Sequence, residues 1–409
     1  MVAKTQIMHS QGSVLKERSR YIKNLIGQAR ILRGGGDIQA ALDILNTVFD
    51  QSEFEKDLFL RNKILNEIEL TQGNTVMSSL PVFLHVSLTN QCNVDCVMCP
   101  LEKRKKWDIS CRMTDDLIGL MPYLEEINWF GGEVFYSKNF KKLFYEACKH
   151  GNLYQLISTN ALMIDQKIAQ EIVRERVKLS ISIDGITSKT YESIHKGASY
   201  DKLIDTIHLI NRNKRKLNDD IDDVRDRMVT IMHYVVMKSN FHEIPDILGF
   251  AAANDFDELH IFPVEGKMHD ENIFVGYNTA VLDNIKYGVD NIIKQSVKHG
   301  ISVFNCIIPD SEPQDSCVVR SQCRGVNREN TNDLFCYLPW KSLLIDVSEA
   351  SPDCYCMKKI EKNDTMSIRQ IWNSRDFQNY RKKMLNKDLS WCNEKCVSGA
   401  VPSRSLKII

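Results

Sequence analysis

Residues 83–100 read FLHVSLTNQCNVDCVMCP, a strand-like run from Phe83 to Thr89 that breaks into a loop with cysteines at 92, 96 and 99. Outward from it the strand pattern returns in EEINWF (125–130), YQLIST (154–159), KLSISID (178–184), VTIMHYVVM (229–237) and ELHIFPV (258–264), with helical stretches between. Strands that alternate with helices form βα units, and βα units build a parallel sheet. In KLSISID, Leu179, Ile181 and Ile183 make one face suited to packing on helices, and Ser180, Ser182 and Asp184 make the other. An α/β fold with a polar inner face and a ligand-bearing lumen is the expectation.

On the amino-terminal side, Ile22, Leu25, Ile26, Ala29 and Leu32 recur at helical spacing, and Gly34, Gly35 and Gly36 stop that helix. Asp37 is placed to cap a second helix carrying Ala41, Leu42, Ile44 and Leu45. GDIQAALDILNTVF has the look of half a tetratricopeptide unit, but a solenoid needs at least three repeats to bury its faces, so this region reads as a helical cap. NRNKRKLNDDIDDVRDR (211–227) reads as a solvated connection between a helix and a strand. After Pro309 the periodicity fades into loop-rich text with irregular cysteines, a small domain organised by metal. One helix is expected near Ser367 to Leu385, where Ile368, Ile371, Trp372, Phe377 and Met384 share a side. The expected division is a helical region at 1–80, a core at 81–308 and a cysteine-rich domain at 309–409.

The 409 residues exceed what one core usually organises, which agrees with a main domain plus appendages. The chain balances 53 basic against 53 acidic residues, which argues against wholesale binding of nucleic acid or an anionic membrane. There is no run of ~18 apolar residues, and MVAKTQIMHSQGS lacks the apolar stretch of a secretion signal. A soluble, cytoplasmic protein is expected. Most of its thirteen cysteines should then be metal or redox groups rather than disulfides.

Cys92, Cys96 and Cys99 form C-x3-C-x2-C in a loop that can wrap one small object. Three thiolates can bind three irons of a cubane and leave the fourth without a protein ligand, whereas clusters used only for electron transfer generally take four. An open metal position points to catalysis, as it does at zinc. A zinc site is the rival reading, although no histidine lies close by in sequence.

This arrangement resembles the radical S-adenosylmethionine (radical SAM) superfamily, from Leu84 to Cys396. The resemblance implies a partial TIM-like (β/α)6 barrel with a 4Fe-4S cluster on Cys92, Cys96 and Cys99. It implies that S-adenosylmethionine chelates the open iron and is cleaved by one electron to a 5′-deoxyadenosyl radical, which abstracts hydrogen from substrate. Met98 stands in the family's hydrophobic place before the last cysteine, to pack near the adenine or only within the loop. Gly131, Gly132 and Glu133 resemble the element that receives the methionine amino group, with Val134 where proline is usual. Ser158, Thr159 and Asn160 resemble the family's Thr-Asn-Gly, with Ala161 replacing the glycine, and would shape the pocket. Ser182 and Asp184 match the element that contacts the ribose or the carboxylate, although Asp184 also suits a turn with Gly185. Phe262 or Pro263 would border the adenine or pack in the core.

CYLPWKSLLIDVSEASPDCYC (336–356) and IWNSRDFQNYRKKM (371–384) resemble SPASM and twitch extensions. That resemblance implies a second, auxiliary 4Fe-4S cluster on Cys336, Cys354, Cys392 and Cys396, with Cys356 an alternative to Cys354. Cys317 and Cys323 could join Cys356 at a further cluster, and a structural zinc is the competitor. An auxiliary cluster can take the electron of a substrate radical. Without one, a thiol would return a hydrogen atom, and Cys111, Cys306 and Cys323 are the candidates, each equally readable as a small core residue.

Lys103, Arg104, Lys105 and Lys106 follow the cluster loop and could attract an anionic group or form a solvated loop. His233, Tyr234 and His260 lie on strands and could face the lumen as proton acceptors, with structural roles as the alternative. The expected activity is oxidation or epimerisation of a small sugar, aminocyclitol or polyol, with a flavodoxin- or ferredoxin-like protein as electron donor. Modification of a ribosomally made peptide or protein is the alternative; it calls for a peptide-binding strand near the amino terminus, and no strand pattern precedes Pro81. A non-enzymatic iron-sulfur carrier would leave the SAM elements unexplained.

Overall fold

Helices form where the spacing placed them, and the third is buried on every side. In the computed structural model, which describes residues 21–50, 57–101, 105–218, 227–264, 270–276, 279–307, 334–346, 349–351, 360–361, 366–388 and 400–402, α1 occupies 21–34. It is followed by α2 (Ile38–Phe49) and α3 (Leu58–Gln72), and the Asp37 carboxylate caps α2 by accepting from Ala40 N at 3.1 Å. Along α3, Asn62, Lys63, Asn66 and Glu67 are buried beside Phe59, Leu60, Ile64 and Ile68. Buried polar groups must find partners. Asn62 donates to Leu80 O at 3.2 Å and Tyr123 O at 3.1 Å, and Asn66 donates to Trp340 O at 2.6 Å. Glu67 meets Arg30 at 2.6 Å, Arg33 at 3.1 Å and also Lys341. Burial pushes the Glu67 carboxyl up, but Lys341, Arg30 and Arg33 outweigh it and hold the group well below the usual carboxylate range. The arginine pairs thus tie α3 to α1, and the Lys341 pair ties it to the core.

The six strand-like runs are all strands. In chain order come β1 (Phe83–Ser87), the two-residue β2 (Asp95–Cys96), α4 (Cys111–Leu120), β3 (Glu126–Phe130), α5 (Phe140–Ala147) and β4 (Tyr154–Thr159). Then follow α6 (Gln166–Arg174), β5 (Lys178–Ser182), α7 (Ser188–Ile194), β6 (His195–Lys196), α8 (Tyr200–Asn218) and β7 (Thr230–Val236). Next are α9 (Ile244–Ala253), β8 (Glu258–Pro263), α10 (Thr279–His299) and β9 (Ser302–Asn305). β1, β3, β4, β5, β7, β8 and β9 lie side by side in that order, all parallel. The helix-facing residues Leu84, Val86, Ile127, Trp129, Ile157, Leu179, Ile181, Met232, Tyr234, Leu259 and Ile261 are buried. The alternate residues His85, Asn128, Ser158, Ser182, His233, His260 and Phe262 are half-buried on the other face. That alternation is the period-two geometry of a strand with two different environments. Tyr234 departs from expectation, because it points under the helices and its hydroxyl donates to Asn240 O at 3.0 Å.

The described residues of the carboxyl-terminal segment pack onto this core. They supply β10 (Leu334–Cys336), α11 (Leu338–Lys341), β11 (Ser342–Ile345), β12 (Glu349–Ser351), β13 (Ile360–Glu361), α12 (Ile368–Trp372), α13 (Arg375–Leu385) and β14 (Ala400–Pro402). β11 runs parallel to β1 and extends the same sheet, with β12 and β13 antiparallel beyond it. Trp340, Leu343, Ile368, Ile371, Trp372, Phe377 and Met384 belong to the main hydrophobic core. The helix expected near Ser367 to Leu385 is two helices, and Ser367 opens the first with a capping box. Arg381 is fully buried and donates to Pro339 O, Thr75 O and Trp372 O, each at 2.9 Å, with its guanidinium 4.5 Å from the Trp372 ring. One side chain thus joins three distant segments. Of the charged run at 211–227, residues 211–218 complete α8 and residues 219–226 lie outside the described residues. Within it the Lys214 ammonium is buried on Thr230 Oγ1 at 2.8 Å, Asp255 O at 3.0 Å and Asp257. Among the described residues no helix is long and apolar enough to cross a membrane.

Two substitutions test this frame. Arg381→Met keeps the volume but strands three buried carbonyls, so denaturant unfolding should show a loss of at least about 3 kcal/mol. Glu67→Gln should cost about 3–5 kcal/mol, because it leaves buried cations unpaired. A carboxyl held below its ordinary 4.5 contributes stability that is present above that pH and lost as the pH falls beneath it. The wild type should therefore weaken below about pH 4.5 more steeply than Glu67→Gln does.

Candidate functional site

The carboxyl ends of parallel strands are where loops can gather around a ligand, and here the loops after β1, β3, β4 and β5 meet. The β1 loop is closed at its base by Asn90, which donates to Lys105 O at 2.6 Å and accepts from Trp107 N at 2.7 Å. Its middle is pinned by a ribbon in which β2 pairs antiparallel with β6, placing Cys96 opposite His195. Val97 N also donates to Ile194 O at 3.0 Å. Cys92, Cys96 and Cys99 are all half-buried. Cys96 Sγ lies 3.0 Å from His195 Nδ1, and Asn160 Nδ2 lies 3.6 Å from Cys92 Sγ while donating to Asn93 Oδ1 at 2.8 Å.

Gly131 and Gly132 are glycines because the β3 loop presses on the β1 loop. Gly131 has φ 130, and a Cβ there would stand 2.5 Å from Thr89 O; one on Gly132 would stand 2.1 Å from Gln91 O. The approach is cemented by Gly132 N to Thr89 O at 2.6 Å and Glu133 N to Gln91 O at 2.9 Å. Glu133 is fully buried, and its carboxylate accepts from Thr159 Oγ1 at 2.7 Å, Asn160 N at 2.9 Å and Phe135 N at 3.3 Å. Burial raises its pKa while those donors pull it back, and the net direction is up. The carboxylate thus braces the β3 loop to the β4 loop. There Ala161 adopts φ 63 in the left-handed region, in the place where the family pattern has glycine.

Asp184 is likewise buried, with Oδ1 accepting from Val235 N at 2.7 Å and Oδ2 standing 3.0 Å from His195 Nε2. Met98 packs half-buried against Ile194, Met237 and Val264. Ser182 is half-buried and registers with His233, which stacks on Phe262 at 4.9 Å and 17°. Burial pulls the His233 pKa down to about 4, with Asp184 raising and His260 lowering it. Burial thus favours its neutral form at pH 7. His260 Nε2 is 2.8 Å from Glu258, which Lys178 meets at 3.0 Å. Cys306 is half-buried at the end of β9, its amide on Ile261 O at 2.9 Å. Lys105 and Lys106 are exposed, while Lys103 and Arg104 lie outside the described residues. So do Cys317, Cys323, Cys354, Cys356, Cys392 and Cys396. Cys336 is described; it is buried on β10 and registers with Ala400 on β14.

The His195 partner is 99 residues away, and nothing local marks it. As a donor set, three half-buried thiols on one loop suit a soft centre such as an iron-sulfur cluster or zinc. Among the described residues no three His, Cys, Asp or Glu side chains converge at the spacing of a single ion.

Residues 86–251 match the model of the Radical SAM superfamily. An uncharacterised protein of Methanocaldococcus jannaschii is 29% identical over 110 residues, which are 25% of this chain and 38% of that protein. The GTP 3',8-cyclase of Synechocystis sp. is 27% identical over 176 residues, 41% of this chain and 50% of the cyclase. The chain therefore spans about half or less of the length of these curated relatives. Among solved structures, Streptococcus suis SuiB superposes with a TM-score of 0.57 at 15% identity, covering 91% of this chain and 88% of SuiB. The protein anSMEcpe, solved with bound AdoMet, gives 0.53 at 13% identity, covering 80% and 94%. These likenesses show the fold, an α/β architecture with a mostly parallel sheet.

Gly132→Ala should lower the melting temperature, by about 1–3 kcal/mol in stability terms, because backbone must move to admit the methyl. Gly151→Ala, with nothing within 4 Å of the added carbon, should leave it unchanged. Equal melting curves for the two variants would contradict the close approach of the loops.

Proposed function

We propose that this chain, whose residues 86–251 match the Radical SAM superfamily model, is an enzyme in which Cys92, Cys96 and Cys99 hold a 4Fe-4S cluster that binds S-adenosylmethionine at its open iron. The supporting observation is the half-buried three-cysteine loop pinned at the carboxyl edge of the parallel sheet by β6, the β3 loop and Asn160. Together the bound cluster and S-adenosylmethionine would supply a 5′-deoxyadenosyl radical that takes hydrogen from a substrate in the lumen. Asn160 orients the Cys92 side of the loop, and Gly131 and Gly132 let the β3 backbone reach the cofactor's edge. Glu133 and Asp184 act as braces through their buried hydrogen bonds, which leaves Ser182 and backbone groups to meet the cofactor. Met98 closes its apolar side. On the substrate side, neutral His233 accepts a proton, and Cys306 or Cys323 can return a hydrogen atom.

The auxiliary 4Fe-4S cluster is assigned to Cys336, Cys354, Cys392 and Cys396. In its favour, the β10–β14 pairing brings Cys336 beside Ala400, four residues past Cys396. It would accept the electron of a substrate radical, with a flavodoxin- or ferredoxin-like protein supplying the first electron.

For substrate we favour a small sugar, aminocyclitol or polyol, oxidised or epimerised. Helices rather than strands fill the described residues before Pro81, and the half-buried lumen face carries His85, Asn128, Ser158, Ser182, His233 and His260. A peptide substrate is the second reading; it draws support from SuiB, solved with precursor peptide SuiA, and from anSMEcpe, solved with a bound peptide. Anaerobically reconstituted protein given reductant and S-adenosylmethionine should yield 5′-deoxyadenosine, and Cys96→Ala should abolish it. Deuterium carried into 5′-deoxyadenosine from a labelled polyol, and from no labelled peptide, decides between the substrates.

A further inference from the structure

The middle cysteine of the loop touches a buried histidine. His195, on β6, is 1% exposed, and its Nδ1 stands 3.0 Å from Cys96 Sγ. The backbone fixes that contact, because β2 pairs with β6 in a register that sets Cys96 opposite His195, and Val97 N donates to Ile194 O at 3.0 Å. The ring is also held from behind. Tyr191 lies against it with centroids 4.6 Å apart at 31°, and Asp184 Oδ2 stands 3.0 Å from Nε2, off the line of a hydrogen bond. The contact to Sγ is the aligned one. Cys96 itself is half-buried, so the residue is not sealed off from a metal. Without metal, the direction of the bond is open, since a thiol can donate to an imidazole nitrogen as well as accept from one. Iron decides it. A cysteine that ligates metal does so as the thiolate, which has no proton to give, so at this distance the ring nitrogen has to be the donor. Hydrogen bonds to the sulfurs of an iron-sulfur cluster set its reduction potential. A donor offsets the negative charge gained on reduction and favours the reduced form, and burial keeps water from taking the donor's place.

We infer that His195 donates a hydrogen bond from Nδ1 to the Cys96 sulfur of the bound cluster and raises the cluster's reduction potential. The inference rests on the cluster assignment above. His195 is a positioning residue that acts through Cys96, with no iron bound and no bond made or broken on its ring.

The test compares wild type with His195→Phe and His195→Asn after anaerobic reconstitution. Phenylalanine keeps a ring against Tyr191 but has no donor, whereas asparagine carries an amide nitrogen near the place of Nδ1. A redox titration followed by electron paramagnetic resonance should find the His195→Phe cluster about tenfold less readily reduced, ~59 mV lower for one electron, at the iron content of wild type. His195→Asn should recover most of that difference. Equal potentials in wild type and His195→Phe overturn the inference, and so does an equal fall in both variants, because packing would then be the cause. A second measurement holds even if neither variant folds. In wild type labelled with nitrogen-15 in histidine alone, pulsed electron paramagnetic resonance of the reduced cluster should show coupling to a nitrogen-15 nucleus, and its absence overturns the inference. Wild-type protein that takes up no iron overturns the cluster assignment itself, and that result is read before the variants are compared.

Discussion

The pairing of Asp95–Cys96 with His195–Lys196 is the contact on which the site's geometry rests, because it ties the loop after the first strand to the crossover between β5 and β7. A loop of this length with three cysteines has many conformations, and ordering it costs about 1–2 kcal/mol per residue. The ribbon, the Asn90 bonds to Lys105 and Trp107, and the pressure of Gly131 and Gly132 against Thr89 and Gln91 meet that cost before any cofactor arrives. The buried carboxylates extend the same logic. Glu133 joins the β3 and β4 loops, and Asp184 joins β5 to β7 while facing His195. The four loops are therefore tied to one another.

The sheet beneath them is held from its far side. α3 is fastened by Glu67 to Arg30, Arg33 and Lys341, and by Asn62 and Asn66 to backbone carbonyls from three segments. Arg381 joins α13 to the Thr75 and Pro339 segments. α3 and α13 thus brace the segments that lead into β1 and β11. Rigid support of this kind positions a reactive centre better than loops alone can.

Much of this was legible in local sequence. The six strands announced themselves by period-two alternation, the Asp37 cap by residue type and place, and the helices after Ser367 by spacing. Contacts made far along the chain were not legible. His195 finds Cys96 across 99 residues, and Asn66 finds Trp340 across 274. Nothing local to α3 marks Asn62, Lys63, Asn66 and Glu67 as buried. Lys214 looks like part of a solvated run until Asp257 and Thr230 are seen to receive it. Tyr234 alternated into the lumen by analogy with His233, yet neighbours on a strand point to opposite faces, so only one of the two could be there. Glu133 and Asp184 carry charges that invite a ligand, and in the fold each also accepts from the chain's own donors.

The central claim is that the cysteine loop presents a cluster with one iron open to S-adenosylmethionine. Electron paramagnetic resonance of the reduced, reconstituted protein, recorded with and without S-adenosylmethionine, tests it most directly. The account predicts a reduced-cluster signal that changes when the ligand is added and is absent when Cys92, Cys96 and Cys99 are replaced together. A signal indifferent to the ligand, or one that survives unchanged without those three cysteines, would contradict it.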